Sequence, residues 1–396
     1  MIVVLYFVLL LVPALFAVAY LDGFALARLC GKRVEHKAND HQTNFLLLIP
    51  AHDEELAIRH TLDSIASAQY ADKKLTTIVI ADNCSDRTAE IARECDFECL
   101  ERSDETNIGK GFALAWGFEQ IQDRSFDAVA IVDADCPVQP DLFEVLDGFF
   151  QAGADAVQAN HLVSNADASP IAYAAAVGRA LEYDLLYAAK SAFGLSVMLV
   201  GTGMAFRRTL LESVPWNSHT CAEDTEYTLE LARHGTRVQF ASNGYVHCTG
   251  ATSRKELDVQ RSRWAAGNIA LGRTNSFGLI WNGLRRGRLL LIDLGVSLMF
   301  LSRPLLLAHA ALTLFVGLTL YYLWPNDVHR LAAILASCLI PAYGLWIGLG
   351  IIWTGINRQR MLHLAKSPFV VLQLAWIAAR SSFAGPNITW RRTPRA

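Results

Sequence analysis

The order of apolar and polar positions divides the 396-residue chain into three parts. Residues 2 to 21 are uncharged and apolar, about the ~20 residues that span a bilayer as a helix. From Asn44 the pattern changes to short apolar runs, each followed by a helix signal. Phe45 to Ile49 precedes a helix from Glu54, Thr76 to Ile80 one opening at Ser85-Asp86, and Ala128 to Val132 one near Asp141. Such alternation predicts an α/β domain with a mostly parallel, Rossmann-like sheet. A helix over Glu256 to Ala270 closes this part. Beyond Arg288, apolar residues dominate to Trp324, again over Leu331 to Trp353, and over Phe369 to Ala379. One straight helix over 288 to 324 would overshoot a ~30 Å hydrocarbon core, so the run divides at Pro304. The expected order is a spanning helix at 1–23, a soluble domain at 44–275 and an interfacial helix at 288–302. Spans at 304–324 and 331–354 follow, then an interfacial or re-entrant helix at 366–382 and a basic cytoplasmic tail at 383–396.

Charge orients these segments. Arg28, Lys32, Arg33 and Lys37 follow the first apolar run, whereas a cleaved signal peptide would carry its basic residues in front. The loop Trp324-Pro325-Asn326-Asp327 lacks Lys and Arg, and Arg358-Gln359-Arg360 follows the last confident span. The positive-inside rule then predicts a multi-pass plasma (inner) membrane protein with its soluble domain and carboxyl terminus cytoplasmic. The composition, 53% hydrophobic with a mean hydropathy of +0.26, agrees with a membrane part. A net charge of -3 gives no bulk attraction to nucleic acid. Eight cysteines without a paired C-x-x-C pattern read as thiols of a reducing compartment, Cys95 and Cys99 included.

The candidate chemistry sits at strand ends. Asp133-Ala134-Asp135 closes the third run, where open α/β sheets present ligand groups to a crevice. Two acids one residue apart can hold a divalent metal, although an isolated D-x-D is more often solvated or capping. Pro50, His52 and Glu54 end the first run and Asp82 the second. Asp82 precedes its helix cap, so it points into the crevice, where it can accept from a base N–H or a ribose hydroxyl. Ser85 and Asp86 read as caps. Lys110, between Gly109 and Gly111 at a helix start, is placed to meet a phosphate, though the loop is not a Walker A.

Three further clusters follow. Val200 to Phe206, containing Gly201-Thr202-Gly203, reads as a strand whose backbone approaches something closely, or as a bulge. Glu223 and Asp224 open the helix running to Arg233, where acids are commonly only dipole partners. Gln260, Arg263 and Trp264 fall at i, i+3 and i+4 and share one helix face. Polar, cationic and aromatic together, that face is poor core material and suits a diphosphate and a sugar ring.

In this order, the D-x-D, the Glu-Asp pair and Gln-x-x-Arg-Trp resemble the membrane-bound family 2 glycosyltransferases. That group contains cellulose, hyaluronan, chitin and poly-N-acetylglucosamine synthases and glucosylceramide synthase. The resemblance covers roughly residues 44 to 275 and implies a GT-A fold that binds a UDP-sugar with Mg²⁺ or Mn²⁺. It implies nucleotide-sugar contacts from Pro50, His52, Glu54, Asp82, Lys110, Asp133, Gln260 and Arg263, and metal ligation by Asp133 and Asp135. Asp224, beside Glu223, would be the catalytic base, and Trp264 with Gly201, Thr202 and Gly203 would meet the acceptor. Two positions depart from the family pattern: Asp53 stands where Asn is usual, and Ala222 where Thr is usual.

The expected activity is inverting transfer of a sugar to a lipid-linked or polysaccharide acceptor at the cytoplasmic membrane face. A processive synthase of a β-linked polymer is the alternative within the class. A non-catalytic nucleotide-sugar-binding scaffold is the alternative outside it, and retention of the expected acids speaks against that. A transporter is disfavoured because the spans carry no charged pathway. Membrane lipids are implied partners, and association with further copies or with a polysaccharide-assembly complex is compatible with either enzymatic reading.

Overall fold

The computed structural model describes residues 2–31, 34–38 and 40–383, so the tail expected at 383–396 lies outside the described residues except for Phe383. Among the described residues one sheet carries β1 (Phe45–Ala51), β2 (Leu75–Asp82), β3 (Glu98–Arg102), β4 (Ala128–Ile131), β5 (Ala156–Val163), β6 (Met204–Arg207) and β7 (Val238–Cys248). Their order is β3-β2-β1-β4-β6-β5-β7. β6 runs against β4 and β5, and the other pairings are parallel. The chain steps outward from β1 to β2 and β3, then crosses to the other side of β1 for β4. At that reversal the carboxyl ends of β1 and β4 leave a crevice, to which residues 50–54 and 133–135 are delivered.

Both faces of the sheet are covered, which is why β1 reads as an unbroken apolar run. Phe45, Leu47 and Ile49 pack with Val79, Ala128 and Ala130 on one face. Leu46 and Leu48 pack with Ile78, Ile80, Val129 and Ile131 on the other. This second cluster continues through Ala14, Leu21 and Ala25 into Tyr343 and Trp346. The sheet and the long apolar helices therefore share one interior.

Two helices begin later than the pattern suggests, at Ile58 and Thr88, and the third begins at Leu142, beside the expected Asp141. The strand ends first turn sharply: Asp53 and Asn83 have φ of 53° and 50°, a left-handed conformation that Asn and Asp tolerate better than other residues with a Cβ. Asp53 Oδ1 accepts from the Ser85 amide at 2.7 Å. The Asp-for-Asn departure thus keeps a side chain suited to this backbone. Asp86 accepts from the Thr88 amide at 2.9 Å at the entry to the helix that begins there, whose N-cap position is Arg87.

Four helices among the described residues are long and apolar enough to cross a membrane: Val3–Cys30, Arg303–Leu323, Asp327–Thr354 and Arg358–Phe383. Exposed Phe315, Leu345, Ile352 and Trp376 face outward from them, and the chain is a membrane protein. The last helix corrects the expected short element at 366–382. It starts eight residues earlier because its polar first turns dock on Asp167, which accepts from Arg360 at 2.8 Å and from His363 at its carbonyl, 3.0 Å away. The segment expected at 288–302 contains the helix Leu289–Met299, folded back against the long helix Arg254–Arg286. A buried ion pair ties the parts together. Lys190 Nζ lies 2.7 Å from Asp293, whose Oδ1 accepts from Tyr20 at 2.7 Å.

Candidate active site

Three elements converge on the carboxyl end of β4. The helix Lys110–Gln120 projects the Lys110 ammonium onto Asp133, and the same Nζ donates to the Gly201 carbonyl at 2.5 Å. Gly201 adopts φ +85°, and a Cβ there would sit 3.3 Å from Lys110 Nζ and 3.5 Å from Asp224 Oδ2. The expected strand over Val200 to Phe206 is therefore corrected: pairing begins at Met204, because the three preceding residues bend to deliver polar groups. Thr202 Oγ1 accepts from the Asp133 amide at 3.0 Å, and its carbonyl accepts from His161 Nε2 at 2.9 Å.

Glu223 and Asp224 begin the helix Glu223–Arg233 and face Lys110. Burial pushes the Asp224 carboxyl up to about 7, and the Glu223 charge adds to this. Glu223 is raised by burial as well, against the pull of Lys110. Burial lowers Lys110, but Asp133, Glu223 and Asp224 outweigh it and leave its pKa above the ordinary value. One ammonium among three carboxylates leaves the group anionic, and a carboxyl held near 7 in such company is suited to take up a proton near neutral pH.

The third element is the long helix Arg254–Arg286, which starts with a Ser253–Glu256 capping box. A Cβ on Gly267 would fall 2.9 Å from Ala222 Cβ. Glycine at 267 thus lets the helix lie directly against the residue preceding the acidic pair. That contact sets Gln260, Arg263 and Trp264 along a shared cavity, with the charge of Arg263 reaching Cys221 and Glu223.

The cavity encloses about 990 Å³. Of the expected residues, Lys110, Asp133, Asp135, Gly201, Thr202, Glu223, Asp224, Gln260, Arg263 and Trp264 line it. Pro50, His52, Glu54, Asp82 and Gly203 do not. Gly203 packs inward on Ala159 and Val246. Pro50, His52, Glu54 and Asp82 cluster at the ends of β1 and β2, where His52 Nδ1 donates to the Asp82 carbonyl at 2.7 Å and Thr88 accepts from the Glu54 amide. Asp82 corrects its expected place as an open acceptor. It is 5% exposed, and its Oδ1 is taken by Arg102 at 2.6 Å. Burial raises its pKa and Arg102 counters. Arg102 went unread because it ends β3, a strand the pattern did not signal.

Asp133, Asp135 and Cys136 bring one ligand atom each within 4.8 Å of the others. The two carboxylates are hard oxygen donors that fit Mg²⁺ or Mn²⁺. Cys136 instead faces the Cys248 thiol, 3.0 Å away. At its far end the cavity is walled by Pro13, Leu305, Leu306, Trp346 and Ile351 of the membrane helices. Sequence reasoning also missed Arg179, Arg261 and His161 in the wall. Arg261 lay inside the recognised Gln260 to Trp264 string but off the face that Gln260, Arg263 and Trp264 share.

A probable glycosyltransferase, YdaM of Bacillus subtilis, is 29% identical over 56% of the chain and 54% of its own length, so the chain spans about half of that relative. The beta-monoglucosyldiacylglycerol synthase of Nostoc is 26% identical over 88% of the chain and 75% of that protein. The poly-beta-1,6-N-acetyl-D-glucosamine synthase of Staphylococcus epidermidis is 26% identical over 56% and 53%. In fold, the chain is similar to a mannosyltransferase of Pyrobaculum calidifontis, with a TM-score of 0.56 and 18% identity over 84% of this chain and 97% of that one. The model of "Glycosyltransferase like family 2" matches residues 41–267, the span that carries the D-x-D, the acidic pair and the Gln-x-x-Arg-Trp helix face, and the chain belongs to that family.

Proposed function

We propose that the enzyme transfers a sugar from a UDP-sugar to a hydroxyl group of a lipid acceptor, with inversion at the anomeric carbon. One observation supports this reading: a single cavity is lined both by Lys110, Asp133 and Asp224 and by residues of the membrane helices, so an acceptor lodged among those helices would lie in the same cavity as the acid pair. At about 990 Å³ it is at the upper end of ordinary ligand pockets. The name of the Nostoc relative, a glycolipid synthase, favours the same class of acceptor.

In the proposed reaction the acceptor oxygen forms a bond to the anomeric carbon while the bond to the UDP oxygen breaks on the opposite face. Asp224 takes the hydroxyl proton, and UDP leaves with the bonding electrons. Asp133 and Asp135 would hold Mg²⁺ or Mn²⁺, which supplies charge neutralisation at the diphosphate when bound. Lys110 and Arg263 add fixed positive charge there, and Trp264 offers a stacking surface for the acceptor. The basic residues after the first helix support a position of this domain at the cytoplasmic face of the plasma membrane.

The test uses purified full-length chain with Mn²⁺ or Mg²⁺, a panel of labelled UDP-sugars with GDP-mannose as comparison, and bilayer lipids. Label that partitions into organic solvent as a lipid carrying one sugar supports the proposal. A long water-soluble polymer made by a monomer would sink it.

A further inference from the structure

Among the described residues, several cations of the interior carry acidic partners. Arg102 is paired with Asp82, Lys190 with Asp293, Arg303 with Glu182 and Lys110 with Asp133. Arg179 and Arg261 stand in the same cavity wall, and no described carboxylate forms an ion pair with either. Arg179, at the end of the helix Pro170–Arg179, donates to Tyr183 Oη at 2.9 Å and to His161 Nδ1. The tautomer of that histidine follows from its other hydrogen bond. Its Nε2 faces the Thr202 carbonyl, which can only accept, so Nε2 carries the proton and Nδ1 offers a lone pair to Arg179.

Arg261 is less satisfied still. Its guanidinium lies over the Trp264 ring, 5.1 Å from the centroid, and its buried Nε has no hydrogen-bond partner. Burial first, and then the charge of Arg179, pull its pKa down to about 10. Two guanidinium groups held together away from carboxylates, one facing the Cys248 and Cys136 thiols and the other with an unused donor, form a polar site that an anion completes.

We propose that Arg179 and Arg261 form an anion subsite whose occupant is the phosphoryl headgroup of the acceptor lipid, beside the hydroxyl that Asp224 deprotonates. This rests on the lipid-acceptor reading above and narrows it from lipids in general to phosphate-bearing ones. Position separates this site from the donor diphosphate. Lys110 sits on Asp133 itself, whereas Arg179 is removed from Asp133 by the chain His161, Thr202. On its other side the subsite borders apolar surface. Leu257, one turn before Arg261, and Ile171, two turns before Arg179, pack on Val370 of the last helix. A headgroup at the arginines therefore has apolar wall beside it for its chains, and a guanidinium fork matches phosphate oxygens.

The experiment compares dioctanoylphosphatidylglycerol, dioctanoylglycerol and inorganic phosphate as probes of full-length protein, read by calorimetry with UDP–Mn²⁺ affinity alongside. The wild type should bind the phosphatidylglycerol about tenfold more tightly than the diacylglycerol, the worth of one charge-assisted hydrogen bond. Arg261→Gln should erase that preference, Arg261→Lys should keep most of it, and both should hold UDP–Mn²⁺ as the wild type does, which also certifies their folding. Equal binding of the two lipids by the wild type overturns the subsite. A loss of UDP affinity in Arg261→Gln that matches its loss of lipid affinity reassigns the pair to the donor and overturns it too, as does inorganic phosphate binding as tightly as the phospholipid. Failure of the reaction reading looks different: no sugar is transferred to any lipid, while the Arg261-dependent preference persists.

Discussion

Replacing Asp224 by Asn separates catalysis from stability at one carboxyl. Its folded pKa of about 7 against an ordinary 3.8 reflects burial and the Glu223 charge. That shift corresponds to a ceiling of about 4 kcal/mol between the charged and neutral forms. The group faces a water-accessible cavity, and screening there brings the observable penalty to about 2 kcal/mol. The sign follows from the direction of the shift. The unfolded chain releases this proton near 3.8 and the folded chain near 7, so Asp224 favours the folded state most at low pH. That contribution is lost as pH rises toward 7, and the full penalty stands above it. Asn has no proton to lose. In protein stripped of metal and nucleotide, Asp224→Asn should therefore gain stability over the wild type progressively from pH 5 to pH 7 and level off beyond. Transfer should fall by about 10²–10⁴, as expected for loss of a general base, while UDP binding persists. Chemical denaturation and labelled-sugar transfer, each run from pH 5 to pH 8, check both halves. A stability difference independent of pH would mean that Asp224 is an ordinary carboxylate, and wild-type turnover in the variant would place the base elsewhere.

Asp135→Ala should weaken UDP binding in the presence of Mn²⁺ and leave metal-free binding unchanged; equal affinities with and without metal in the wild type would reject the D-x-D as a metal site. Arg102→Gln should leave Asp82 buried without its partner and destabilise the fold by about 3–5 kcal/mol, read by denaturation, although Arg102 touches no part of the cavity. Lys190→Met should lower stability by a similar amount, whereas the double variant Lys190→Met, Asp293→Leu should recover most of the loss; an additive loss would refute the pairing. A cysteine at Asp327 should react with an impermeant maleimide added to intact cells, because the Lys- and Arg-free loop is external in the proposed topology, and protection there would invert it.

Much of this architecture was legible because both sheet faces are covered. That made β1, β2 and β4 continuous apolar runs, and it left their terminal acids conspicuous. β3, β5 and β7 were missed for the opposite reason. Glu98-Cys99-Leu100-Glu101-Arg102 is a sheet edge with two charged residues facing solvent, and the carboxyl end of β5 holds Gln158, Asn160 and His161, buried polar residues that bond across the sheet and to the Thr202 carbonyl. Such residues look like loop when only hydropathy is read. The acidic pair was legible as a sequence feature, but its elevated pKa was not. For Asp224 that comes first from burial in the assembled cavity and then from the Glu223 charge; Asp133 adds to it and Lys110 works against it, and the folded chain brings all of these together. The last helix was underestimated because its first turns are polar, and what makes them helical is the tertiary contact with Asp167.

The buried ion pair between Lys190 and Asp293 bears on how the protein is made. Tyr20, Lys190 and Asp293 leave the ribosome in that order, and the acid follows the lysine by about 100 residues, on the order of ten seconds of synthesis. Through that interval the lysine that is 1% exposed in the finished fold lacks the acid that pairs with it, so seating the sheet domain against the first helix buries an uncompensated charge. Docking is thereby deferred until the helix Leu289–Met299 has been produced. A fragment cut to the family-matched residues 41–267 would remain permanently at this waiting stage. Expressed alone, it would present an unpaired lysine amid bare apolar surface, a natural substrate for chaperones and for aggregation.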